Sequence, residues 1–233
     1  MGSVIIIAGH MRTWKTCAHT FKWHVARHLP KPLHFYISTV EDEHAADWKI
    51  TQQLFRPKTL ISKVEPSQPE IPEPDEPVRF EPYARSVPVQ AVLRQLWQLE
   101  RGWKLYSDHP VSDVDLFVRV RPDLFFHSFD QTYTPIINEA LTPWWGRFGG
   151  INDRFAIMGG LAAAEYFQTF SKLEQLREAG CPIHPESLVK GSLRQAYCIV
   201  RDNLRVEFST LRKTGEMRPP EISAIDIAHA SLR

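Results

Sequence analysis

Cysteine is scarce in this chain. Cys17, Cys181 and Cys198 are an odd number without paired spacing, which argues against a disulfide framework and against a cysteine-held zinc site. Long apolar runs are missing as well. The first apolar stretch, residues 4–8, has five residues and no basic region before it, so we expect neither a signal peptide nor a membrane span there. Neither sign of charge is in excess. Lys plus Arg is 28 and Asp plus Glu is 27, so bulk attraction to nucleic acid or a membrane surface is not indicated, although a local basic face is compatible. Together these absences predict a reducing, cytoplasmic setting.

What is present is an ordinary globular balance. Apolar residues make 43% and charged residues 24% of 233 positions, which suits one domain with a real core. Ten histidines and seven tryptophans are many for this length. Tryptophan suits sugar and base stacking, but packing accounts for most such residues.

The stretch that organises the chain is residues 114–126, V-D-L-F-V-R-V-R-P-D-L-F-F. Leu116, Val118 and Val120 share one strand face; Phe117, Arg119, Arg121 and Asp123 share the other if the extended conformation continues. Residues preceding proline are biased to extended backbone, which favours that continuation through Pro122. Two arginines and a carboxylate on a buried strand are costly to desolvate unless they pair or face a cleft. Open α/β sheets bind ligands at the carboxyl ends of their strands.

The rest reads as alternating strands and helices. Residues 3–8 form a buried strand, followed by Gly9, His10, Met11, Arg12 and a helix over 14–28. A strand-glycine-helix opening can meet a phosphate through helix amides, and Arg12 would add a bidentate charge. G-H-M-R-T-W-K-T lacks the second glycine before its lysine, so a P-loop NTPase is rejected. Strands are expected over 33–39, 59–64, 155–158 and 204–210, and helices over 47–55, 89–106, 161–179 and 185–200. Glu41, Asp42 and Glu43 can hold a ribose or solvate a loop. Val89, Val92, Leu93, Leu96, Trp97 and Leu99 form an apolar stripe on the clearest helix, with Gln90 and Gln95 available to a cleft. Residues 65–88 carry seven prolines among acids, which predicts a long, partly mobile, polyproline-like loop with Arg79, Tyr83 and Arg85 as its notable side chains. Residues 212–233 are expected to be a peripheral tail with an amphipathic stretch over 222–230.

In order along most of the chain, Gly9 with Arg12, the helix around Gln95, R-V-R-P-D-L at 119–124, N-D-R-F at 152–155 and H-P-E at 184–186 resemble a group of small GT-A-type glycosyltransferase-like proteins. The resemblance implies a Rossmann-like α/β domain over 1–211 with a mostly parallel sheet flanked by helices. It implies transfer of a sugar from a nucleotide-sugar donor, a UDP-sugar foremost, to an acceptor hydroxyl. Many GT-A enzymes place D-x-D at this strand end to hold a divalent metal; here Arg121-Pro122-Asp123 substitutes an arginine for one carboxylate. A manganese or magnesium ion would therefore rest on Asp123. The implied roles are diphosphate contact or site structure for Arg12, Arg119 and Arg121, and metal, donor sugar or ribose for Asp123. Gly9 forms the donor-binding turn. Asp153 is the candidate base or acceptor-binding carboxylate, Asn152 and Arg154 orient substrate, and Glu186 is a second candidate base. His10 is a further candidate. An Arg119–Asp153 or Arg154–Asp123 ion pair that only ties loops together is the competing account.

A glycan or polysaccharide is the default acceptor. Hydroxymethylated DNA pyrimidines, as for phage-type transferases, are an alternative, and so is a nucleotide-binding or interaction module without chemistry. A kinase is more distant, because no phosphate loop is complete.

Overall fold

The computed structural model describes residues 2–72, 88–130, 133–220 and 222. Arg79, Tyr83, Arg85 and most of the 222–230 stretch lie outside them. The first strand, β1 (Gly2–Ala8), is buried along its whole length. It lies between β2 (Leu33–Val40) and β4 (Val114–Val120), parallel to both, and β3 (Thr59–Glu65) extends β2 in parallel. Beyond β4 the sheet continues through β7 (Phe155–Met158), β6 (Glu139–Leu141) and β8 (Ile199–Arg201), giving the order β3-β2-β1-β4-β7-β6-β8. Among these strands β7 alone runs against the rest. The fold is thus α/β with a seven-stranded, mostly parallel central sheet.

Both faces of that sheet are covered, which explains why β1 is a continuous β-branched run rather than an alternating one. Ile5 and Ile7 join a core with Trp14, Phe21 and Phe126, whereas Val4 and Ile6 join a second core with Leu93, Leu96 and Tyr166. The first face carries α1 (Trp14–Thr20) and α2 (Ile50–Phe55). The second carries α3 (Val89–Asp108), α4 (Gly160–Phe167), α5 (Leu173–Glu178) and α6 (Pro185–Gln195). A separate antiparallel sheet, β5 (Leu124–Asp130), β9 (Arg205–Leu211) and β10 (Met217–Arg218), packs Phe126 and Phe208 onto the first core. Each fully buried phenylalanine there stabilises the fold by about 1.5–3 kcal/mol.

Several expected elements are shorter than their patterns. The helix over 14–28 gives way after Thr20 to a wide π turn, Phe21–Val25, and a 3-10 turn, Ala26–His28. Thr20 Oγ1 donates back to the Cys17 carbonyl at 2.9 Å, a bond that competes with the helical ladder. Thr169 Oγ1 does the same to Tyr166 (2.8 Å) where the expected 161–179 helix breaks. The 185–200 helix stops at Gln195, and Tyr197, at φ 55°, turns the chain into β8. β4 ends at Val120 instead of running to Phe126. Pro122 has no N–H to extend a ladder, so residues 121–123 turn and Leu124 opens β5 in the other sheet. The chain after Leu211 is not simply a tail, because β10 pairs with β9 across that boundary.

Candidate functional site

The C-terminal ends of β1 and β4 open onto a cleft of about 440 Å³. β2 and β3 lie on one side of β1 and β4 on the other, so this is the point where the strand order reverses, the ligand position of open α/β sheets. Gly9 ends β1 at φ 135°, a conformation that costs a residue with a Cβ. The turn then carries His10, Arg12 and Thr13 to the cleft wall before α1 begins. Thr13 Oγ1 reaches the Pro122 carbonyl at 3.5 Å, linking the two loops that flank the opening. Asp42, just past β2, accepts from His10 Nδ1 at 2.9 Å and from the His44 backbone N–H at 2.9 Å, with Arg12 Nε 3.9 Å away. Burial alone would raise the Asp42 carboxyl, but the His10 and His44 hydrogen bonds and the nearby cations hold it below its usual value.

β4 supplies Arg119 and Arg121. Arg119 is fully buried and donates from Nη1 to the Ala8 carbonyl (3.2 Å) and the Val120 carbonyl (3.0 Å). Its Nε has no hydrogen-bond partner among the described residues. Burial pulls its guanidinium down to about 10, although Tyr166, Asp153 and Asp123 favour the charge. Arg121 holds Asp123 by a two-pronged fork, Nε to Oδ1 at 3.0 Å and Nη2 to Oδ2 at 2.7 Å. Both side chains stay about a quarter open, 24% and 21%. Burial opposes both charges, but their mutual attraction prevails, so Arg121 is raised and Asp123 lowered. The ion pair at this strand end is Arg121–Asp123.

The opposite wall is the cleft face of α3. Gln90, Arg94, Gln95 and Gln98 recur there at helical spacing. Gln90 closes a pair of bonds with the backbone of Ile71, and Arg94 Nε donates to the Pro69 carbonyl at 3.4 Å. The described start of the proline-rich stretch is thereby tied along the first turns of α3. Gln98 Nε2 donates to Ser38 Oγ at 2.7 Å, and its buried Oε1 has no partner among the described residues. Arg212 and Lys213, expected in a tail, complete the rim.

Asp153 and Glu186 lie behind this cleft rather than in it. β7 runs antiparallel to β4, with Val120 opposite Phe155. That register sets Arg154 beside Arg121, whose N–H donates to the Arg154 carbonyl at 3.1 Å. Asp153 is buried; Gln95 Nε2 donates to its Oδ2, and the Tyr166 hydroxyl donates to its carbonyl at 2.8 Å. Gly150 lets α6 approach this segment: a Cβ there would stand 2.2 Å from the Glu186 carbonyl group. Glu186 is buried, with His184 Nε2 3.1 Å from its Oε2. Burial first, and Asp153 second, push its carboxyl well above the usual range. Arg154 lies over the Phe148 ring. Asn152 is fully buried, its amide donating to the Trp145 carbonyl and accepting from Arg154 N–H, both at 3.0 Å. Its side chain ties the 145–154 loop together.

The sequence reading thus named Gly9, Arg12, Arg119, Arg121 and Asp123, which the structure gathers at one cleft, and Asp153, Arg154 and Glu186, which the structure places behind it. It missed Arg94, Gln98, Tyr166, Arg212 and Lys213. The polar stripe 90/94/95/98 along an otherwise apolar helix was the available signal for the first two. Among the described residues no three His, Cys, Asp or Glu side chains are placed to hold a metal ion. Asp123 does not fit that task alone: it is the one carboxylate among the described residues lining the cleft, and Arg121 occupies both its oxygens. No described helix is long and apolar enough to cross a membrane. In comparison with known proteins, no family model and no curated protein matches the chain.

Proposed function

We propose that this chain is a GT-A-type glycosyltransferase that moves a sugar from a nucleotide-sugar donor, a UDP-sugar foremost, to a hydroxyl of a glycan acceptor. One observation carries the reading. The cleft at the sheet's switch point gathers Arg12, Arg94, Arg119, Arg121, Arg212 and Lys213 against a single lining carboxylate among the described residues, Asp123. An excess of guanidinium groups in a partly water-excluded cleft suits a diphosphate, whose negative charge grows as the sugar leaves. In this reading Arg121, oriented by Asp123, and Arg12 hold the diphosphate oxygens, and Arg119 keeps the two strand ends in register beneath them. The arginines supply the neutralisation that a metal supplies elsewhere.

Transfer also needs a group to receive the acceptor proton. Glu186 suits that poorly, because its environment favours the neutral carboxyl. Asp153 is the better base, one amide behind the cleft, reached when Gln95 releases it. The burial of both carboxylates also supports the second reading, a nucleotide-binding module without turnover. Incubation with UDP-, GDP- and CMP-sugars, with and without manganese or EDTA, separates them. Release of one nucleotide, unchanged by EDTA, is the expected result. Binding without release favours the module, and neither binding nor release defeats both.

A further inference from the structure

We propose that Nε2 of His10, held in place by Asp42, accepts a hydrogen bond from a ribose hydroxyl of the bound nucleotide. The inference rests on the nucleotide reading above and adds the residue that reads the sugar of the nucleoside. In doubly wound sheets an acidic residue following the second strand commonly takes the ribose hydroxyls itself. Asp42 follows β2 in the corresponding place, but its oxygens are already committed: Oδ2 to His10 and Oδ1 to the His44 backbone. Asp42 does not line the cleft, whereas His10 does. The imidazole therefore stands between the carboxylate and the ligand space.

The chemistry of the pair fixes which atom faces outward. A carboxylate only accepts, so the bond at Nδ1 makes Nδ1 the donor, and in the neutral form of the ring Nε2 keeps its lone pair for a hydroxyl donor. No hydrogen bond to Nε2 forms among the described residues. The order of the strand ends gives the nucleoside its side. The β4 arginines hold the diphosphate at one flank, and the carboxylates behind β7 mark the direction of the transferred sugar. The nucleoside then extends the other way, over the ends of β1 and β2, where His10 stands. Arg12 Nε stands 3.9 Å from the same Oδ2 of Asp42.

Calorimetric binding of UDP, 2′-deoxy-UDP and 3′-deoxy-UDP to the full chain tests this, with GDP and its deoxy analogues alongside. We expect the ribonucleotide to bind about tenfold tighter than at least one deoxy analogue, the worth of one hydrogen bond. His10→Ala should weaken the ribonucleotide to the level of that analogue and leave the analogue within about twofold of its wild-type affinity. Asp42→Asn, which loosens the ring without removing it, should give an intermediate loss. Equal binding of ribo and deoxy forms by the wild-type chain overturns the inference and leaves the nucleotide reading standing. An equal loss for all three ligands in His10→Ala also overturns it, with thermal melts distinguishing a folding defect. No nucleotide binding by the wild-type chain defeats the parent reading, and this inference with it.

Discussion

The two halves of the central sheet treat charge in opposite ways. On the side built from β3, β2, β1 and β4, the cations come forward: Arg12, Arg94 and Arg121 line an open cleft. On the side of β7 and α6, the carboxylates of Asp153 and Glu186 withdraw into the interior. The difference follows from what can satisfy each group. A cleft arginine keeps part of its hydration and gains when an anion arrives, whereas a buried carboxylate needs partners already in place. Gln95 and His184 are those partners, and Arg121 faces both regions. The antiparallel step from β4 to β7 is the joint between them.

That joint can be broken in order of severity. Arg119→Ala strikes deepest, because it empties a fully buried volume and strands the Ala8 and Val120 carbonyls. A loss of about 3–5 kcal/mol in urea unfolding is expected; a loss under 1 kcal/mol would mean that Arg119 does not hold the strand ends. Gly150→Ala comes next. The new Cβ collides with backbone at Glu186, not with a flexible side-chain end, so about 1–3 kcal/mol should go by the same assay. Arg121→Gln should leave folding less affected, since the pair is partly open to solvent. It should instead weaken UDP binding about tenfold or more in calorimetry, as expected for one charged contact. Unchanged affinity would remove the β4 arginine from the phosphate site.

The smallest effect concerns pH. Glu186 binds its proton more tightly folded than unfolded, so its contribution makes stability fall as pH rises above the ordinary glutamate value of 4.5 toward the raised folded one. Glu186→Gln mimics the protonated form and should flatten that decline in a series of thermal melts from pH 5 to 8. An unchanged decline in the variant would mean that Glu186 is already charged in the folded protein over this range. Asp42 works in the opposite sense: its lowered carboxyl adds stability above its ordinary value of 3.8, lost as pH falls below it.

Local pattern determined the parallel half. Runs such as V-I-I-I-A at 4–8 and L-H-F-Y-I at 33–37 read as buried strands from their length and β-branched or aromatic content, and Gly9 marks the turn after the first. The stripe from Val89 to Leu99 determined α3 and left its glutamines for the cleft. R-V-R-P-D announced a charged strand end, because arginines amid β-branched residues need a reason to be there. Tertiary structure alone decided the rest. Strands of three residues, such as β6 and β8, carry too little periodicity to read, and β10 exists only because β9 offers it an edge. Whether Arg121 would meet Asp123, Asp153 or a ligand depended on the turn at Pro122 and on the register of β7, set by contacts between segments over thirty residues apart. The commitment of Asp42 to His10 likewise joins residues 32 positions apart. Periodicity reports which face a side chain occupies; it holds no information about which distant group will be waiting on that face.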